Sequence, residues 1–311
     1  MSFSIIIVTH NGLHHLQPCL TSLIPQLTSD WEVVIVDNAS TDGTADFIGS
    51  LDNRAISYVL LATNTGFASA NNKGGEVAVG DHLFLLNNDT IVGAGTLRAL
   101  EESVAHFPGY QIFACRMVRA SDGKVDNMGI RFSRLLRASQ IGTGSSDAWV
   151  TAREVFGASG GAMLVQRSVI VDVGLFDPIF FAYHEDVDFA LRARLAGYRC
   201  LYVPQAIVCH KGGGTSSSNA SLYRYYIQRN MELAILRNVP REVLWKYGLG
   251  RLAYSIYQVL KWSLKGSGLL VLRAKLDAVS LWRRSDTRLT PKRINTHQFE
   301  RFLADDFSPI V

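Results

Sequence analysis

The sequence predicts an α/β protein with an open, mostly parallel sheet flanked by helices. Two short runs rich in β-branched residues, Ile5–Val8 and Val33–Val36, each end in a polar loop, as do strands that are buried on both faces of a parallel sheet. Between these runs, leucines recur at helical spacing, namely at Leu13, Leu16, Leu20, Leu23 and Leu27. A strand, a helix and a second strand in this order form a right-handed βαβ unit.

The same alternation continues along the chain. We expect strands at Tyr58–Leu60 and His82–Leu86, and helices at Ala68–Val79 and Thr96–Phe107. The later elements are predicted to be a strand at Gly161–Val165, a short helix at Val169–Val173, an amphipathic helix at Phe189–Ala196 and an edge strand at Cys200–Val203 that ends at Pro204. The weakly patterned segment Gln111–Val155 predicts irregular loops, and the Gly/Ser-rich segment Lys211–Ser218 predicts a mobile loop.

Composition excludes several classes of protein. The 311 residues, 48% hydrophobic and 19% charged, can bury a full core, which excludes disorder and a small disulfide scaffold. The four cysteines are scattered without a CxxC pair, as is typical of a reducing compartment. The N-terminal residues do not resemble a signal peptide, and no apolar stretch reaches the roughly 18 residues that a spanning helix needs. We therefore expect a cytoplasmic protein whose membrane contact, if it has one, is peripheral.

Polar side chains cluster where the predicted strands end. The first strand ends in Thr9-His10-Asn11-Gly12, and the second ends in the run Asp37–Thr44. Such residues form turns and helix caps, but a carboxylate at the mouth of a buried strand also binds the hydroxyls or base of a nucleotide in dinucleotide folds. Because GxGxxG is absent, a dinucleotide site of the usual kind is rejected. The segment Asn64–Asn72, which opens a helix, adds free N–H groups that could face a nucleotide.

Two further clusters carry carboxylates. Asn87-Asn88-Asp89-Thr90 follows the strand at His82–Leu86, and its oxygen ligands suit a hard cation such as Mg²⁺ or Mn²⁺, although an Asn-rich surface turn is the alternative. The segment His184–Asp188 holds a histidine and three carboxylates directly before a helix. One or two acids would complement the helix dipole, whereas a third points to a catalytic site with perturbed pKa values. His210 is a candidate metal or diphosphate ligand, with an ordinary structural histidine as the alternative.

With these clusters in this order, the sequence resembles family 2 glycosyltransferases of the GT-A fold, in their rhamnosyltransferase-like branch. The resemblance covers roughly Ser4 to Asn238. It is carried by Ile6–Asn11, Val36–Thr44, Asn64–Phe67, Leu86–Asp89, Gly161–Val165, Gly174–Asp177 and Glu185–Asp188. It implies a GT-A catalytic domain over residues 1–240 and a helical C-terminal extension over residues 241–311.

The resemblance also implies site residues. It implies that the nucleotide sugar, dTDP- or UDP-linked, is bound by Thr9, Asn11, Asp37 and Asn64. From the same polar clusters we also expect Asn38, Gly66 and Asn88 to bind it. The family's DxD position falls on Asn87-Asn88-Asp89, so Asp89 is the expected ligand of Mg²⁺ or Mn²⁺, with His210 as the second candidate. Asp186 falls where the family's catalytic base lies, and Glu185 beside it is expected to orient the acceptor. Asp188 is expected to cap the helix or to hold Arg192, four residues later.

An inverting reaction follows from this chemistry. The diphosphate leaves with metal assistance while a carboxylate on the other side of the sugar takes the proton of the acceptor hydroxyl. The acceptor is expected to be a cell-surface glycan or a lipid-linked saccharide. Two alternatives stay open at this point: a nucleotidyltransferase, although the loop after the first strand lacks Lys and Arg, and a non-catalytic sugar-binding member of an assembly complex.

The C-terminal extension concentrates the positive charge. Residues 1–240 carry 18 basic and 21 acidic side chains, whereas residues 241–311 carry 13 and 6. Apolar residues from Leu249 to Leu264 fall on one helical face, and polar residues that include Arg251 and Gln258 fall on the other. This pattern favours a helix lying in an anionic membrane interface on the cytoplasmic side, and the alternative is a helical hairpin packed on the catalytic domain or on a second subunit. No nucleic-acid-binding module is recognised, so a nucleic-acid partner is not expected.

Overall fold

The computed structural model describes residues 1–212, 220–284 and 291–303. Most of the predicted mobile loop Lys211–Ser218, and residues 285–290 and 304–311 of the C-terminal extension, therefore lie outside the described residues. The strands are β1 (Phe3–Thr9), β2 (Trp31–Asp37), β3 (Ile56–Leu60), β4 (His82–Asn87), β5 (Thr90–Val92), β6 (Ile112–Arg119), β7 (Val125–Asn127), β8 (Ile130–Phe132), β9 (Ala138–Gln140), β10 (Arg153–Val155), β11 (Ala162–Gln166) and β12 (Cys200–His210). The α-helices are α1 (Leu13–Leu23), α2 (Thr44–Gly49), α3 (Gly66–Val77), α4 (Thr96–His106), α5 (Arg167–Val173), α6 (Glu185–Leu195), α7 (Ala220–Asn238), α8 (Arg241–Ser263), α9 (Gly268–Arg284) and α10 (Thr296–Arg301).

The main sheet is open, with the strand order β10-β12-β6-β11-β4-β1-β2-β3. Strands β3, β2, β1 and β4 are parallel to one another, as the sequence predicts. Strand β11 then runs antiparallel to β4 and β6, and β12 is parallel to β6, so the complete sheet is mixed. Because β1, β2 and β4 are parallel and in register, the polar residues that follow them meet at one edge.

Two sheet predictions are wrong in detail. Strand β12 does not end at Pro204 and is not at the edge, because it continues to His210 between β10 and β6. A register irregularity between Val203 and Ile207 accommodates the proline, which has no N–H to give to the ladder. As a result, His210 lies opposite Thr90, the residue after Asp89.

The segment Gln111–Val155 is not simply a set of loops. It contains β6, which is a central strand, and the short strands β7, β8, β9 and β10. Ile112, Phe113 and Ala114 are buried in β6. The sequence pattern does not predict this strand, because charged residues such as Arg116 and Arg119 interrupt its apolar residues.

Helix α6 also differs from its prediction. It begins at Glu185 rather than Phe189, and it is buried almost all round rather than amphipathic. Its charged residues tolerate burial because they are paired: Arg192 Nε lies 2.8 Å from Asp188 Oδ2, and Arg194 Nη1 lies 2.6 Å from Glu154 Oε1.

Three hydrophobic clusters stabilise the fold. Alternate residues of β1 point to opposite faces of the sheet, so that Ile5 and Ile7 pack in one cluster and Ile6 in another. The third cluster joins Phe132 and Val187 to Val243 of α8, Ala278 of α9 and Phe299 of α10. The described helices of the C-terminal extension therefore share buried apolar surface with the region around α6. The division at residue 240 into two domains stays a prediction.

Candidate active site

The first part of the candidate site lies where β1 and β2 end. Thr9 and Asp37 are paired in register at the ends of these strands, and both are buried. One oxygen of Asp37 accepts hydrogen bonds from the backbone N–H and the hydroxyl of Ser40. Asn11 has a left-handed φ of 50° and accepts a bond from Thr41 N at 2.7 Å. The two loops are thus tied together in a fixed arrangement.

Amide side chains hold the start of α3 beside these loops. Asn38 Nδ2 donates to Asn64 Oδ1 at 3.0 Å, and Asn38 Oδ1 accepts from Thr65 N at 2.9 Å. Asn64 Oδ1 also accepts from Gly66 N, the first residue of α3. These three predicted site residues, Asn38, Asn64 and Gly66, therefore form one hydrogen-bonded unit.

Asn88 is turned toward β1. Its Nδ2 donates to Thr9 Oγ1 at 2.9 Å. This contact requires a glycine at position 12, because a Cβ atom there would lie 2.3 Å from Asn88 Nδ2. The structure therefore brings Asn88 to Thr9, as the strand-end prediction requires.

Asp89, in the turn between β4 and β5, lies next to His210, the last residue of β12. His210 Nε2 lies 3.3 Å from Asp89 Oδ2, and His210 Nδ1 lies 2.8 Å from Asp126 Oδ2. Burial alone would lower the pKa of His210, but its hydrogen bonds to Asp126 and Asp89 raise that pKa to about 10. Burial opposes ionisation of Asp89 as well, but His210 outweighs it and leaves the pKa of Asp89 below its usual range. The imidazole and the carboxylate are thus charged partners.

The donor set at Asp89 fits a divalent cation that is shared with a substrate. Asp89 Oδ1 is buried and has no hydrogen-bond partner within the described residues, so one carboxylate oxygen remains available. The described ranges contain no group of three or more His, Cys, Asp or Glu side chains arranged to hold a metal. A cation here would therefore take Asp89 and His210 as protein ligands and complete its shell with phosphate oxygens and water, which is how Mg²⁺ is commonly bound.

Glu185 and Asp186 lie side by side in the first turn of α6. Asp186 accepts hydrogen bonds from Val187 N at 2.8 Å through Oδ1 and from Gly160 N at 3.1 Å through Oδ2. Glu185 is more deeply buried, and its Oε2 has no hydrogen-bond partner in the described part of the chain. Burial, together with the charge of Asp186, raises the pKa of Glu185 well above its usual range, and burial also raises the pKa of Asp186. Neighbouring carboxyl groups with raised pKa values suit acid–base chemistry.

The loop before these carboxylates is conformationally strained. Phe181, Tyr183 and His184 all have left-handed φ angles, between 61° and 70°. Asn230 of α7 holds the loop, because its Nδ2 donates to the carbonyls of Phe180, Ala182 and Tyr183 at 2.9, 2.8 and 2.7 Å. The position of Glu185 and Asp186 therefore depends on a residue of a different helix.

Backbone contacts connect this loop to the strand-end residues. Phe181 O accepts a hydrogen bond from Ala68 N in the first turn of α3. Gly160 donates to Asp186, and the carbonyl of the next residue, Gly161, accepts a hydrogen bond from Asn87 N at 2.9 Å. Asp186 is thus joined through Gly160 and Gly161 to the end of β4, and two residues further along the chain lies Asp89.

Comparison with known proteins identifies the family. The model of "Glycosyl transferase family 2" matches residues 4–174. The chain belongs to this family. It is a glycosyltransferase that uses a nucleotide sugar, which confirms the predicted family and enzyme class.

Relatives of this family 2 glycosyltransferase include a rhamnosyltransferase and a polysaccharide synthase. The chain is 28% identical to an N-acetylglucosaminyl-diphospho-decaprenol L-rhamnosyltransferase of Mycobacterium tuberculosis, over 91% of this chain and 95% of the relative. It is 27% identical to a poly-beta-1,6-N-acetyl-D-glucosamine synthase of Staphylococcus aureus, over 65% of this chain and 48% of the relative.

Solved structures confirm the GT-A fold. Residues 1–349 of S. aureus TarS in complex with UDP-GlcNAc match with a TM-score of 0.63 and 19% identity, over 90% of this chain and 81% of that one. The mannosyltransferase PcManGT of Pyrobaculum calidifontis, in complex with GDP-Man and Mn²⁺, matches with a TM-score of 0.56 and 18% identity, over 91% and 76% of the two chains.

Two further residues of this glycosyltransferase contact the site and were not predicted from the sequence. Asp126 contacts His210 from β7, within the segment for which the sequence predicts irregular loops. Asn230 lies in the middle of α7, and neither its type nor its spacing distinguishes it from a surface asparagine. Asp188, by contrast, pairs with Arg192 as expected and also accepts from Asn238 at 2.7 Å.

Proposed function

We propose that this glycosyltransferase is an inverting enzyme that moves rhamnose or another hexose from a dTDP- or UDP-linked donor to a hydroxyl group of a glycan or lipid-linked saccharide. One observation carries the proposal: a carboxylate pair at the start of α6 is joined through Gly160 and Gly161 to the strand edge that bears Thr9, Asp37 and Asp89. Residues suited to a nucleotide diphosphate and a residue suited to proton transfer thus belong to one site.

The donor half would bind through the strand-end residues. Asp37 would accept hydrogen bonds from the base or ribose, while Thr9, Asn11, Asn38, Asn64, Gly66 and Asn88 would surround the nucleotide sugar. Asp37 and Asn38 are buried, and Asp37 is already hydrogen-bonded to Ser40 in its own loop and Asn38 to Thr65 before α3, so little ordering is needed when the nucleotide binds.

Asp89 and His210 would hold a Mg²⁺ or Mn²⁺ ion beside the diphosphate. When bound, such an ion neutralises the negative charge that develops on the departing diphosphate. The Oδ1 atom of Asp89, which has no hydrogen-bond partner among the described residues, supports this assignment. The structures of PcManGT and GalNAc-T7, which both contain Mn²⁺, support it as well. GalNAc-T7 matches with a TM-score of 0.57 and 16% identity, over 76% of this chain and 50% of that one.

Asp186 would act as the general base. It would take the proton of the acceptor hydroxyl as the oxygen attacks the anomeric carbon and the bond to the diphosphate breaks on the opposite side. One displacement of this kind inverts the anomeric configuration. Burial and the charge of Asp186 raise the pKa of Glu185 well above its usual range, so Glu185 holds its proton more strongly than an ordinary glutamate. Its assigned role is therefore to orient the acceptor or Asp186 rather than to act as the base.

A lipid-linked acceptor at the cytoplasmic face of a membrane would suit a role in cell-envelope polysaccharide synthesis. The support is the mycobacterial relative, an N-acetylglucosaminyl-diphospho-decaprenol L-rhamnosyltransferase. Among the described residues, no helix has both the length and the apolar character needed to cross a bilayer.

Two substitutions test the donor assignment. Asp37→Ala should weaken nucleotide-sugar binding with or without Mn²⁺, whereas Asp89→Ala should remove the metal dependence of turnover. Binding is measured as the rise in melting temperature with dTDP-rhamnose or UDP-GlcNAc, because a ligand that binds only the folded protein stabilises it. Asp46→Ala, which changes an exposed aspartate of α2, is the matched control. Normal metal-stimulated turnover by Asp89→Ala would show that the metal assignment is wrong.

A donor-hydrolysis assay tests the enzyme class as well as the donor. The protein should release nucleoside diphosphate from its donor in the absence of acceptor, slowly but above the background of Asp186→Asn. No hydrolysis and no transfer with any nucleotide sugar that binds would favour the non-catalytic sugar-binding alternative.

A further inference from the structure

Helix α8 packs on the protein by its polar side. Arg251 and Gln258 are buried, whereas Trp245, Leu249, Leu252, Ile256 and Leu260 are 53–86% exposed. These five residues recur every three or four positions and form one continuous row, which we call the apolar ridge. A surface helix of a soluble protein ordinarily presents the opposite arrangement, with its apolar side toward the core.

A buried ion cluster fixes this orientation. Glu232 of α7 accepts contacts from Arg251 Nη2 at 2.7 Å, from Lys275 Nζ of α9, and from the Ser255 hydroxyl at 2.8 Å. Rotating α8 to bury its leucines would separate charges that have little access to water, which is strongly unfavourable. The outward direction of the apolar ridge is therefore built into the packing.

Helix α9 and the turn before it add apolar side chains. Leu264 in the turn, and Leu269, Leu272 and Leu276 of α9, are exposed. Exposed cations accompany them, because Lys261 and Lys265 lie at one end of the hairpin and Arg283 and Arg284 at the end of α9. Residues 241–284 carry nine basic and only two acidic side chains. Apolar and cationic groups on one helical hairpin match the chemistry of an anionic lipid surface.

The tip of the hairpin lies close to the carboxylate pair. Arg224 of α7 stacks 4.0 Å over the ring of Trp262 and donates to Ser267 Oγ at 2.8 Å. The preceding residue, Tyr223, has its ring 4.8 Å from that of Tyr183, two residues before Glu185. A surface bound by the hairpin would therefore lie near the loop that carries the carboxylate pair, where the proposed function puts the acceptor.

We propose that the apolar ridge docks in the surface of an anionic lipid bilayer and holds the acceptor side of the site at the membrane. The second clause rests on the proposed function, whereas the docking itself does not. Self-association is less favourable, since a contact between two ridges would bring together two hairpins that each carry nine basic and only two acidic side chains. The headgroups of an anionic bilayer are opposite in charge to the cations of the hairpin, and its acyl chains provide an apolar layer for the ridge.

Vesicle flotation of the full chain tests the docking, with vesicles of phosphatidylcholine with and without phosphatidylglycerol. The wild type should float with the anionic vesicles, and Leu249→Gln/Ile256→Gln/Leu260→Gln should bind them at least about tenfold more weakly. The matched control, Val79→Gln/Val150→Gln/Val171→Gln, replaces three residues that are 76–80% exposed elsewhere on the protein, and it should float like the wild type. Lys261→Gln/Lys265→Gln should reduce the preference for anionic vesicles, as should added salt.

Equal flotation of the wild type and the ridge variant would overturn the proposal. It would also be overturned if the wild type did not float and sedimented as a dimer that the ridge substitutions converted to a monomer, because the ridge would then be a contact between copies. No sugar donor or acceptor is present in the flotation assay. Its failure would therefore leave the proposed transferase activity untouched, and loss of transfer in the Asp186 variant would leave the docking untouched.

Discussion

His210 Nδ1 lies 2.8 Å from Asp126 Oδ2, while Nε2 of the same ring lies 3.3 Å from Asp89 Oδ2. The imidazole is thus oriented by one carboxylate and directed toward another. If a cation replaces the proton on Nε2, the contact with Asp126 keeps the remaining proton on Nδ1 and the ring in place, as carboxylates behind metal-binding histidines do. Asp126 therefore has the geometry of a positioning residue for the proposed metal ligand.

Replacing Asp126 with asparagine should weaken Mn²⁺ binding without removing a ligand. We expect Asp126→Asn to lower Mn²⁺ affinity by about 10–100-fold, the range found when such outer partners are changed. Affinity is measured by titration calorimetry or by Mn²⁺ electron paramagnetic resonance in the presence of nucleoside diphosphate. Asp122→Asn is the control, because Asp122 is an aspartate at the nearby turn that pairs with Arg119 instead. Equal Mn²⁺ affinity in both variants would rule out the positioning role.

Asp186 and Asp188 lie two positions apart on α6 but are expected to differ in function. Asp186→Asn should keep donor affinity and lower turnover by about 10²–10⁴-fold, the range associated with general-base catalysis. Asp188 forms a buried ion pair with Arg192, whose other N–H groups bind the carbonyls of Val173, Gly174 and Leu175. Asp188→Asn should therefore destabilise the protein, by about 3–5 kcal/mol if the buried charge of Arg192 is left uncompensated.

Three measurements on both variants separate these roles: donor affinity, turnover, and the free energy of unfolding. Near wild-type turnover in Asp186→Asn would move the base to Glu185 or Asp188. Unchanged stability in Asp188→Asn would show that the Asp188–Arg192 pair is not structural.

The strand-end residues of the site could be predicted because local sequence and topology agree. Thr9, Asp37 and Asp89 each follow a continuous apolar strand, and parallel strands place their carboxyl ends at one edge. Asp126 and Asn230 could not be predicted in this way. The contact between Asp126 and His210 spans 84 residues of sequence. Asn230 donates to backbone carbonyls, which every residue carries, so the residue types of the loop do not reveal this contact.

The errors in the fold have a related cause. Strand β6 carries arginines, and α6 buries charged side chains at positions where an amphipathic pattern would place solvent. The spacing of Asp188 and Arg192 is enough to predict their pairing, but Glu154, the partner of Arg194, lies 40 residues earlier in the chain and becomes evident only in three dimensions. The mixed half of the sheet and the burial of α6 therefore depend on tertiary pairing rather than on local pattern.

Glu185 should make the protein less stable as the pH rises. Burial and the charge of Asp186 raise the pKa of Glu185 in the folded state, so between its ordinary pKa and the raised one the unfolded chain releases a proton that the folded protein retains. Rising pH then favours unfolding. In Glu185→Gln this contribution is absent, and we expect its melting temperature to exceed that of the wild type at pH 7.5 by a few degrees, with the difference shrinking toward pH 4.

Thermal unfolding at several pH values checks this expectation. Glu76→Gln, which changes an exposed glutamate of α3, should follow the wild-type curve throughout. If the difference in stability between Glu185→Gln and the wild type stayed the same at every pH, the pKa of Glu185 would not be raised in the folded protein.

Gly66 and Gly95 provide a matched pair for testing how the start of α3 positions the loop before the carboxylates. Both glycines have left-handed φ angles, 84° and 79°, so alanine at either position is strained by about 1–2 kcal/mol. A Cβ atom at Gly66 would lie 2.5 Å from the Phe181 ring and 2.6 Å from the Phe181 carbonyl oxygen, whereas at Gly95 it would meet nothing within 4 Å.

Gly95→Ala should therefore lower the melting temperature but leave kcat/KM unchanged. Gly66→Ala should also displace the Phe181 loop and lower kcat/KM on the order of tenfold to a hundredfold, as small misplacements of catalytic groups do. If the two variants lose the same stability and keep the same kcat/KM, contact between α3 and the loop does not position Asp186.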